Sequence, residues 1–281
     1  MLGREKVFMD LKAVLKDAQK NGRAILAANF YNLETLQGIA KAASELKSPV
    51  ILQLTRGSID YIGLNVAVAL ARSVIYDYGL QAWLHLDHGD SIDLVQRCLD
   101  AGFDSVMIDG SEKPFVENIN LTRKVVELAK PYGAMVEAEL GYVPKLGQDD
   151  NKLGFTEPDE AKKFVRETKT DALAVAIGSA HGFYKQTPKL DLERLKQIHE
   201  AVDIPLVLHG GSGIPAEQLK AAIKNGISKI NVATETKNVF MKSLAEEMKE
   251  NAEIDLRKVF PKGIEAVKKL IGEKLKIVGN G

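Results

Sequence analysis

The sequence contains a single cysteine, Cys98, so no disulfide can form within the chain and nothing in it calls for an oxidising compartment. It lacks an excess of charge of either sign. Its 38 Lys and Arg balance 38 Asp and Glu, and no Lys- or Arg-rich run builds a local basic field, which argues against a nucleic-acid partner. No apolar stretch approaches the ~20 residues of a membrane span, and residues 1–22 carry Asp and Lys at helical spacing where a secretory signal would be apolar. The expectation is a cytoplasmic protein with no membrane partner. Low-complexity linkers, composition breaks and short-period repeats are also missing, so residues 1–281 read as one large domain. With 45% hydrophobic and 27% charged residues, the chain can bury a sizeable core.

Short apolar, often β-branched runs recur along this chain with amphipathic stretches between them. The runs are 24–28, 50–54, 82–86, 104–108, 134–138, 172–177, 204–209 and 228–233, eight in all. Helical patterns separate them at 33–46, 91–102, 116–130, 158–169, 191–202 and 216–226, most with Asp or Ser near the start and Gly near the end. Strict βα alternation implies a parallel sheet, and eight repeats without a break favour closure into a barrel. The predicted fold is an α/β single (β/α)8 TIM barrel with an extra N-terminal helix (9–21) and extra C-terminal helices (235–276).

In such a barrel, reactive groups gather at the carboxyl ends of the strands. Those ends carry Asn29, Thr55, Asp87 with His88, Asp109, Glu139, His209 and Asn231, and strand six reaches His181 four positions beyond Ile177. Asn29 and Thr55 are candidate substrate contacts. Histidine is scarce, five in all, yet His88, His181 and His209 fall at the ends of strands three, six and seven. Three neutral imidazoles converging with one position left open form the ligand set of a catalytic zinc (Zn2+). His199, on the polar side of a helix, is assigned no role.

Alternation in the string LHLDH places His85 and Asp87 on one strand face, and VEAEL places Glu137 and Glu139 together; both pairs are expected in the lumen. Charges there are costly unless paired or metal-bound, so these groups either face a metal or a wet mouth or form a buried ion-pair layer. On the first option Asp87 is a candidate general acid/base and Glu139 a fourth or alternative ligand. The run Gly210-Gly211-Ser212-Gly213, followed by a helix opened at Pro215, and the segment Asn231 to Thr234 lie where barrels bind phosphate, although such a run also serves as a plain turn.

Six ordered strings are specific enough to carry a resemblance: His85 to Gly89 (HLDHG), Ser105 to Asp109 (SVMID), Val136 to Gly141 (VEAELG), Gly178 to Gly182 (GSAHG), Leu208 to Gly213 (LHGGSG) and Lys229 to Glu235 (KINVATE). From about residue 8 to about 275 the chain resembles the class II, zinc-dependent ketose-bisphosphate aldolases. Asn231 to Glu235 with Lys237 and Asn238 looks most like the tagatose-bisphosphate branch, with fructose-bisphosphate aldolases close by. The resemblance implies reversible cleavage of a ketose 1,6-bisphosphate into dihydroxyacetone phosphate and glyceraldehyde 3-phosphate. It implies that His88, His181 and His209 hold zinc, with Glu139 exchangeable and Asp109 a supporting or alternate metal contact. Asp87 would handle the proton of the C4 hydroxyl. Gly182, Gly211, Ser212, Asn231 and Thr234 would hold the phosphate, with sodium or potassium beside it. A zinc Lewis acid leaves no need for a Schiff-base lysine, and neither Lys185 nor Lys229 ends strand six.

Three segments draw further expectations. The loop after Gly141 departs from the family pattern by about two extra residues, a proline and Asp in place of Glu; its only carboxylates are Asp149 and Asp150. Gly141, Gly147 and Gly154 are expected to hinge it as a lid that carries Asp149 in as the base, while two solvated aspartates are the bland alternative. Arg56, after Thr55, is either a surface charge or a group that alters what the site accepts. Ile254 to Arg257 resembles a family segment whose arginine reaches a neighbouring subunit's site, so Arg257 would bind the distal phosphate in a homodimer or homotetramer unless it is a solvated surface arginine. A close variant would act on another phosphorylated ketose or keto acid, a zinc-dependent phosphosugar isomerase or epimerase could use the same barrel-end residues, and a non-catalytic binding or scaffold protein is the remaining class.

Overall fold

β-branched and aliphatic runs form eight strands: β1 (Ile25–Asn29), β2 (Val50–Leu54), β3 (Ala82–Gly89), β4 (Ser105–Ile108), β5 (Met135–Leu140), β6 (Ala172–Val175), β7 (Leu206–Leu208) and β8 (Ile227–Val232). Each pairs in parallel with its sequence neighbour and β8 closes on β1, giving a (β/α)8 TIM barrel. The computed structural model describes residues 9–144, 154–184, 186–250 and 252–279.

The predicted helices appear as α1 (Leu11–Lys20), α2 (Leu33–Glu45), α5 (Ile92–Asp100), α6 (Phe115–Ala129), α7 (Pro158–Thr168), α8 (Leu192–Ala201) and α9 (Ala216–Lys224), with α10 (Thr234–Glu250) and α11 (Leu256–Ile277) as the tail. Side chains set several starts: Asn32 and Thr35 form a reciprocal capping box on α2, and Ser91 and Asp191 accept from backbone N–H groups three residues on. Between β2 and β3 lie two helices outside the predicted set, α3 (Arg56–Ile62) and α4 (Leu64–Asp77). The string LNVAVALA at the start of α4 is apolar almost throughout, so it carries no 3.6-residue contrast from which to read a helix. No single helix among the described residues is long and apolar enough to cross a membrane; α3 and α4 pass together but bend by 92°.

Strand alternation sorts the core into two shells. Leu26, Leu52, Leu84, Leu86 and Val106 point outward into the layer between sheet and helices. Ile25, Ile51, Trp83, Met135 and Ala172 point inward at the amino end, where Leu11, Val14, Leu15 and Ala18 of α1 close the barrel. Nearer the carboxyl ends the inward positions turn polar and stay buried: His85, Ser105, Glu137 and Lys229, then Asn29, Asp87, Glu139, His209 and Asn231. The lumen is therefore an apolar plug under a polar mouth.

The tail helix α11 packs along α2 at Gly38, where an added Cβ would fall 2.6 Å from Val267 Cβ and 2.9 Å from the Ile264 carbonyl oxygen. Gly38→Ala should push the helices apart and cost about 1–3 kcal/mol, read as a lower urea midpoint. An unchanged midpoint would show that α11 yields at no cost.

Candidate active site

Adjacent strand residues normally face opposite ways, so Asp87 and His88 cannot both reach the lumen from a regular strand. The β3–β4 register shifts between Leu86 and Gly89, and His88 adopts φ 49°, a left-handed conformation rare outside glycine. This bulge turns both side chains into the mouth. Gly89 follows because a Cβ there would meet the Met107 carbonyl oxygen at 2.3 Å.

His88, His181 and His209 present ring nitrogens within 4.8 Å of one another. Gly210 makes the approach possible. It has φ 68°, and a Cβ on it would lie 2.3 Å from the Ala180 carbonyl oxygen, so the loops after β6 and β7 touch through backbone. His88 Nδ1 lies 2.7 Å from Asp109 Oδ2, and His209 Nε2 lies 2.9 Å from Glu137 Oε1. A carboxylate only accepts, so each of these nitrogens carries a proton and donates it, which leaves His88 Nε2 and His209 Nδ1 to face each other. Those two atoms stand 3.0 Å apart. Without a metal a proton on His88 Nε2 bridges them, in keeping with the raised pKa of His88, and a metal ion would take that proton's place. Two imidazole nitrogens on one tetrahedral zinc would stand about 3.4 Å apart, so the spacing fits such an ion.

Glu139 completes the fit. Its Oε2 is buried, lies 3.3 Å from His209 Nδ1 and has no hydrogen-bond partner. Burial, reinforced by the Asp109 charge, raises its pKa to about 8. An orphaned carboxylate oxygen beside three convergent imidazoles is a donor set that could hold a metal ion. Asp109 sits behind His88, its other oxygen accepting from Ser111 N and Oγ at 3.1 and 2.7 Å. With His88 and Glu139 it forms a second group able to hold a metal. Against the upward push of burial, the His88 contact and the Ser111 bonds hold Asp109 well below the usual carboxylate range. Burial disfavours protonated His88, yet Asp87, Asp109 and Glu139 raise its pKa to about 10; in His209, burial and the nearby His88 push it well below the ordinary value.

Asp87 is 4% exposed and fixed at both oxygens, with Asn29 Nδ2 donating at 2.9 Å and Asn231 Nδ2 at 3.1 Å. Gln53 Nε2 donates in turn to Asn29 Oδ1 at 2.7 Å. Burial opposes ionisation of Asp87, but the charges of His88, His209 and Lys229 and the Asn29 hydrogen bond together outweigh it and lower the pKa. The cleft above is lined by Asn29, Asp87, His88, His181, Gly182, Gly210, Ser212, Asn231, Ala233 and Thr234. Ser212 Oγ accepts from the N–H groups of Ala233 and Glu235 at 3.3 Å, which locks the loop after β7 to the start of α10.

Several expected contacts fall elsewhere. Gly211 gives its N–H to the Asn231 carbonyl oxygen at 3.0 Å, and a Cβ on it would meet Ile230 at 2.7 Å, so it packs β7 against β8 while Gly210 lines the cleft. Thr55 stands before α3 with its hydroxyl 3.3 Å from Ser58 Oγ, outside the cleft lining. Arg56 forks onto the Asp90 carboxylate and donates to Ser91 Oγ at 2.9 Å, tying the loops after β2 and β3 as a rim charge. Arg257 is exposed and bridges to Asp255 at 2.9 Å, away from its own cleft. Gly141 and Gly154 do not act as free hinges: Tyr142 N donates to the Gly154 carbonyl oxygen at 2.9 Å and a Gly141 Cβ would meet that oxygen at 2.7 Å. Asp149, Asp150, Gly147 and Lys185 lie outside the described residues. Glu137 and Glu139 divide the two options for lumen carboxylates: Glu139 faces the histidines, whereas Glu137 pairs with Lys229 at 2.7 Å.

A convergent donor set over the carboxyl end of a TIM barrel, beside a buried carboxylate held by two amides, has the make-up of an enzyme site that stabilises charge and moves protons. The sequence matches the family model for class-II fructose-bisphosphate aldolase over residues 9–281. Among solved structures, the YdjI aldolase from Escherichia coli K12 is 36% identical with a TM-score of 0.87, the match covering 96% of this chain and 97% of that one. The fructose-bisphosphate aldolase of Campylobacter jejuni shares the fold at 23% identity and TM-score 0.83, over 95% and 93% of the two chains. The chain belongs to the class-II fructose-bisphosphate aldolase family and is an aldolase, a carbon–carbon lyase.

His209→Ala should cost most of the affinity for added zinc, measured by competition with a chromophoric chelator. His199, which packs on Gly226 at the amino end of the barrel, should leave that affinity unchanged when replaced by Ala. Equal effects of the two substitutions would remove the histidines from the metal centre.

Proposed function

We propose that this aldolase uses zinc to split a ketose 1,6-bisphosphate, fructose or tagatose, reversibly into dihydroxyacetone phosphate and glyceraldehyde 3-phosphate. The reading is carried by one observation: His88, His181 and His209 converge beside the orphaned Glu139 oxygen in a chain of the class-II family. The three histidines would hold the zinc, with Glu139 as exchangeable ligand and Asp109 orienting His88. Bound there, zinc would supply a Lewis acid for the negative charge left on the three-carbon fragment when C3–C4 breaks.

The chain's own residues do the rest. Asp87, ionised and fixed between the amides of Asn29 and Asn231, takes the proton of the C4 hydroxyl in cleavage and returns it in condensation. Gly182, Gly210, Ser212, Asn231 and Thr234 hold the phosphate, to which the N-terminus of α10 adds a favourable dipole. A sodium or potassium ion sits beside that phosphate. Asp149 serves as the base that removes the C3 proton. Arg257, whose guanidinium is turned to solvent, meets the distal phosphate in a neighbouring subunit of a homodimer or homotetramer. Residues 1–281 act as one catalytic domain in the cytoplasm.

A coupled assay of zinc-loaded protein with fructose and tagatose 1,6-bisphosphates side by side tests the reading. Two three-carbon products are expected from one of them, whereas a single rearranged sugar would indicate an isomerase. Asp87→Ala should lower kcat by roughly 10²- to 10⁴-fold with zinc content unchanged. An unaltered kcat would remove Asp87 from proton transfer, and lost zinc would make it part of the metal centre.

A further inference from the structure

Beneath the mouth, three strands contribute ionisable groups that no step above uses. Lys229 of β8 and Glu137 of β5 are both fully buried, and the ammonium donates to Glu137 Oε2 at 2.7 Å. Lys229 Nζ also approaches His85 Nε2 of β3 at 3.4 Å, and His85 Nδ1 lies 2.9 Å from Ser105 Oγ. Among these contacts the one that reaches the histidine cluster is that of Glu137 Oε1, which lies 2.9 Å from His209 Nε2. A buried carboxylate that stays charged must be neutralised nearby, and Lys229 does this from across the lumen. A carboxylate in that state can only accept from imidazole, so its contact selects one tautomer of His209 and one ring orientation.

We propose that Glu137, held in place by the Lys229 ammonium, is a positioning residue that fixes His209 as the Nε2–H tautomer and thereby aims Nδ1 into the metal centre. The inference rests on the zinc reading of the preceding subsection. It gives His209 a counterpart to what Asp109 does for His88, with the opposite ring nitrogen left for the metal in each case. Lys229 then acts at one remove: without its bond to Oε2, Glu137 would lose the contact that keeps Oε1 in line with His209. An ion pair that served stability alone would leave the tautomer and the metal affinity of His209 indifferent to its loss.

Two measurements decide the matter. In wild-type protein labelled with ¹⁵N-histidine, with the His209 signals identified by their loss in His209→Ala, long-range ¹H–¹⁵N spectra should show Nε2 protonated both without and with zinc. They should show Nδ1 as the nitrogen whose shift moves when zinc binds. The reverse assignment overturns the proposal, and this arm needs no substitution in the buried layer. In the second arm, Glu137→Gln should weaken zinc binding by about 10- to 100-fold in chelator competition and shift the visible bands of the cobalt-substituted protein. Lys229→Met should weaken it in the same direction, and the double variant should be no weaker than Glu137→Gln alone, because both act through one contact. Zinc affinity and cobalt spectrum unchanged in Glu137→Gln would overturn the inference while leaving the zinc site standing. A wild-type protein that bound no zinc would overturn the zinc reading and this inference together.

Discussion

An ionisable group on the inner face of a closed barrel has no bulk water to turn to, so it must find its counter-charge on another strand. Much of this protein's carboxyl-end architecture follows from that requirement. Glu137 meets Lys229 across the lumen, Asp87 is held between amides from β1 and β8, and Asp109 is bonded to His88. The departure is Glu139, whose Oε2 is buried without a hydrogen bond next to His209. Asn231 Oδ1 and Gln53 Oε1 are also buried without a partner, but among the lumen carboxylates of the described residues Glu139 alone has such an oxygen, and it lies beside the histidines, where a cation would find a donor.

The same requirement separates folding from chemistry along the barrel axis. At the amino end Trp83, Met135 and the apolar face of α1 form a plug with little to satisfy beyond van der Waals contact. Toward the carboxyl end the inward positions become polar, and the backbone tightens at Gly89 and Gly210, where a single added Cβ would collide with a carbonyl oxygen. Gly89 lets the end of β3 pack on β4, and Gly210 lets the loop after β7 touch the loop after β6, and these approaches help to gather His88, His181 and His209.

Much of this was legible in the sequence, for physical reasons. Strands such as VILQL declare themselves through β-branched content, and three of only five histidines at predicted strand ends could be read as convergent because barrel topology fixes where those ends go. Alternation correctly sent His85, Asp87, Glu137 and Glu139 inward. What escaped was whatever depends on a partner distant in sequence. The bulge that lets both Asp87 and His88 face the mouth is a register shift against β4, invisible in the string LHLDH. The pairing of Glu137 with Lys229 joins positions 92 residues apart, so alternation could place both carboxylates in the lumen but could not tell which would be neutralised. Gly210 and Gly211 look equivalent in a GGSG run, and only the β7–β8 contact shows that the second has spent its N–H on Asn231. Arg56 could not be assigned because Asp90 reaches it from the next strand's loop.

The central claim is that three imidazoles form the metal centre of this aldolase, and X-ray absorption at the zinc K-edge of the zinc-loaded protein tests it most directly. The account predicts nearest scatterers at about 2.0–2.1 Å, with the outer-ring scattering of three imidazoles and oxygen filling the remaining position. Scattering from oxygen alone, or sulfur at about 2.3 Å, would contradict it.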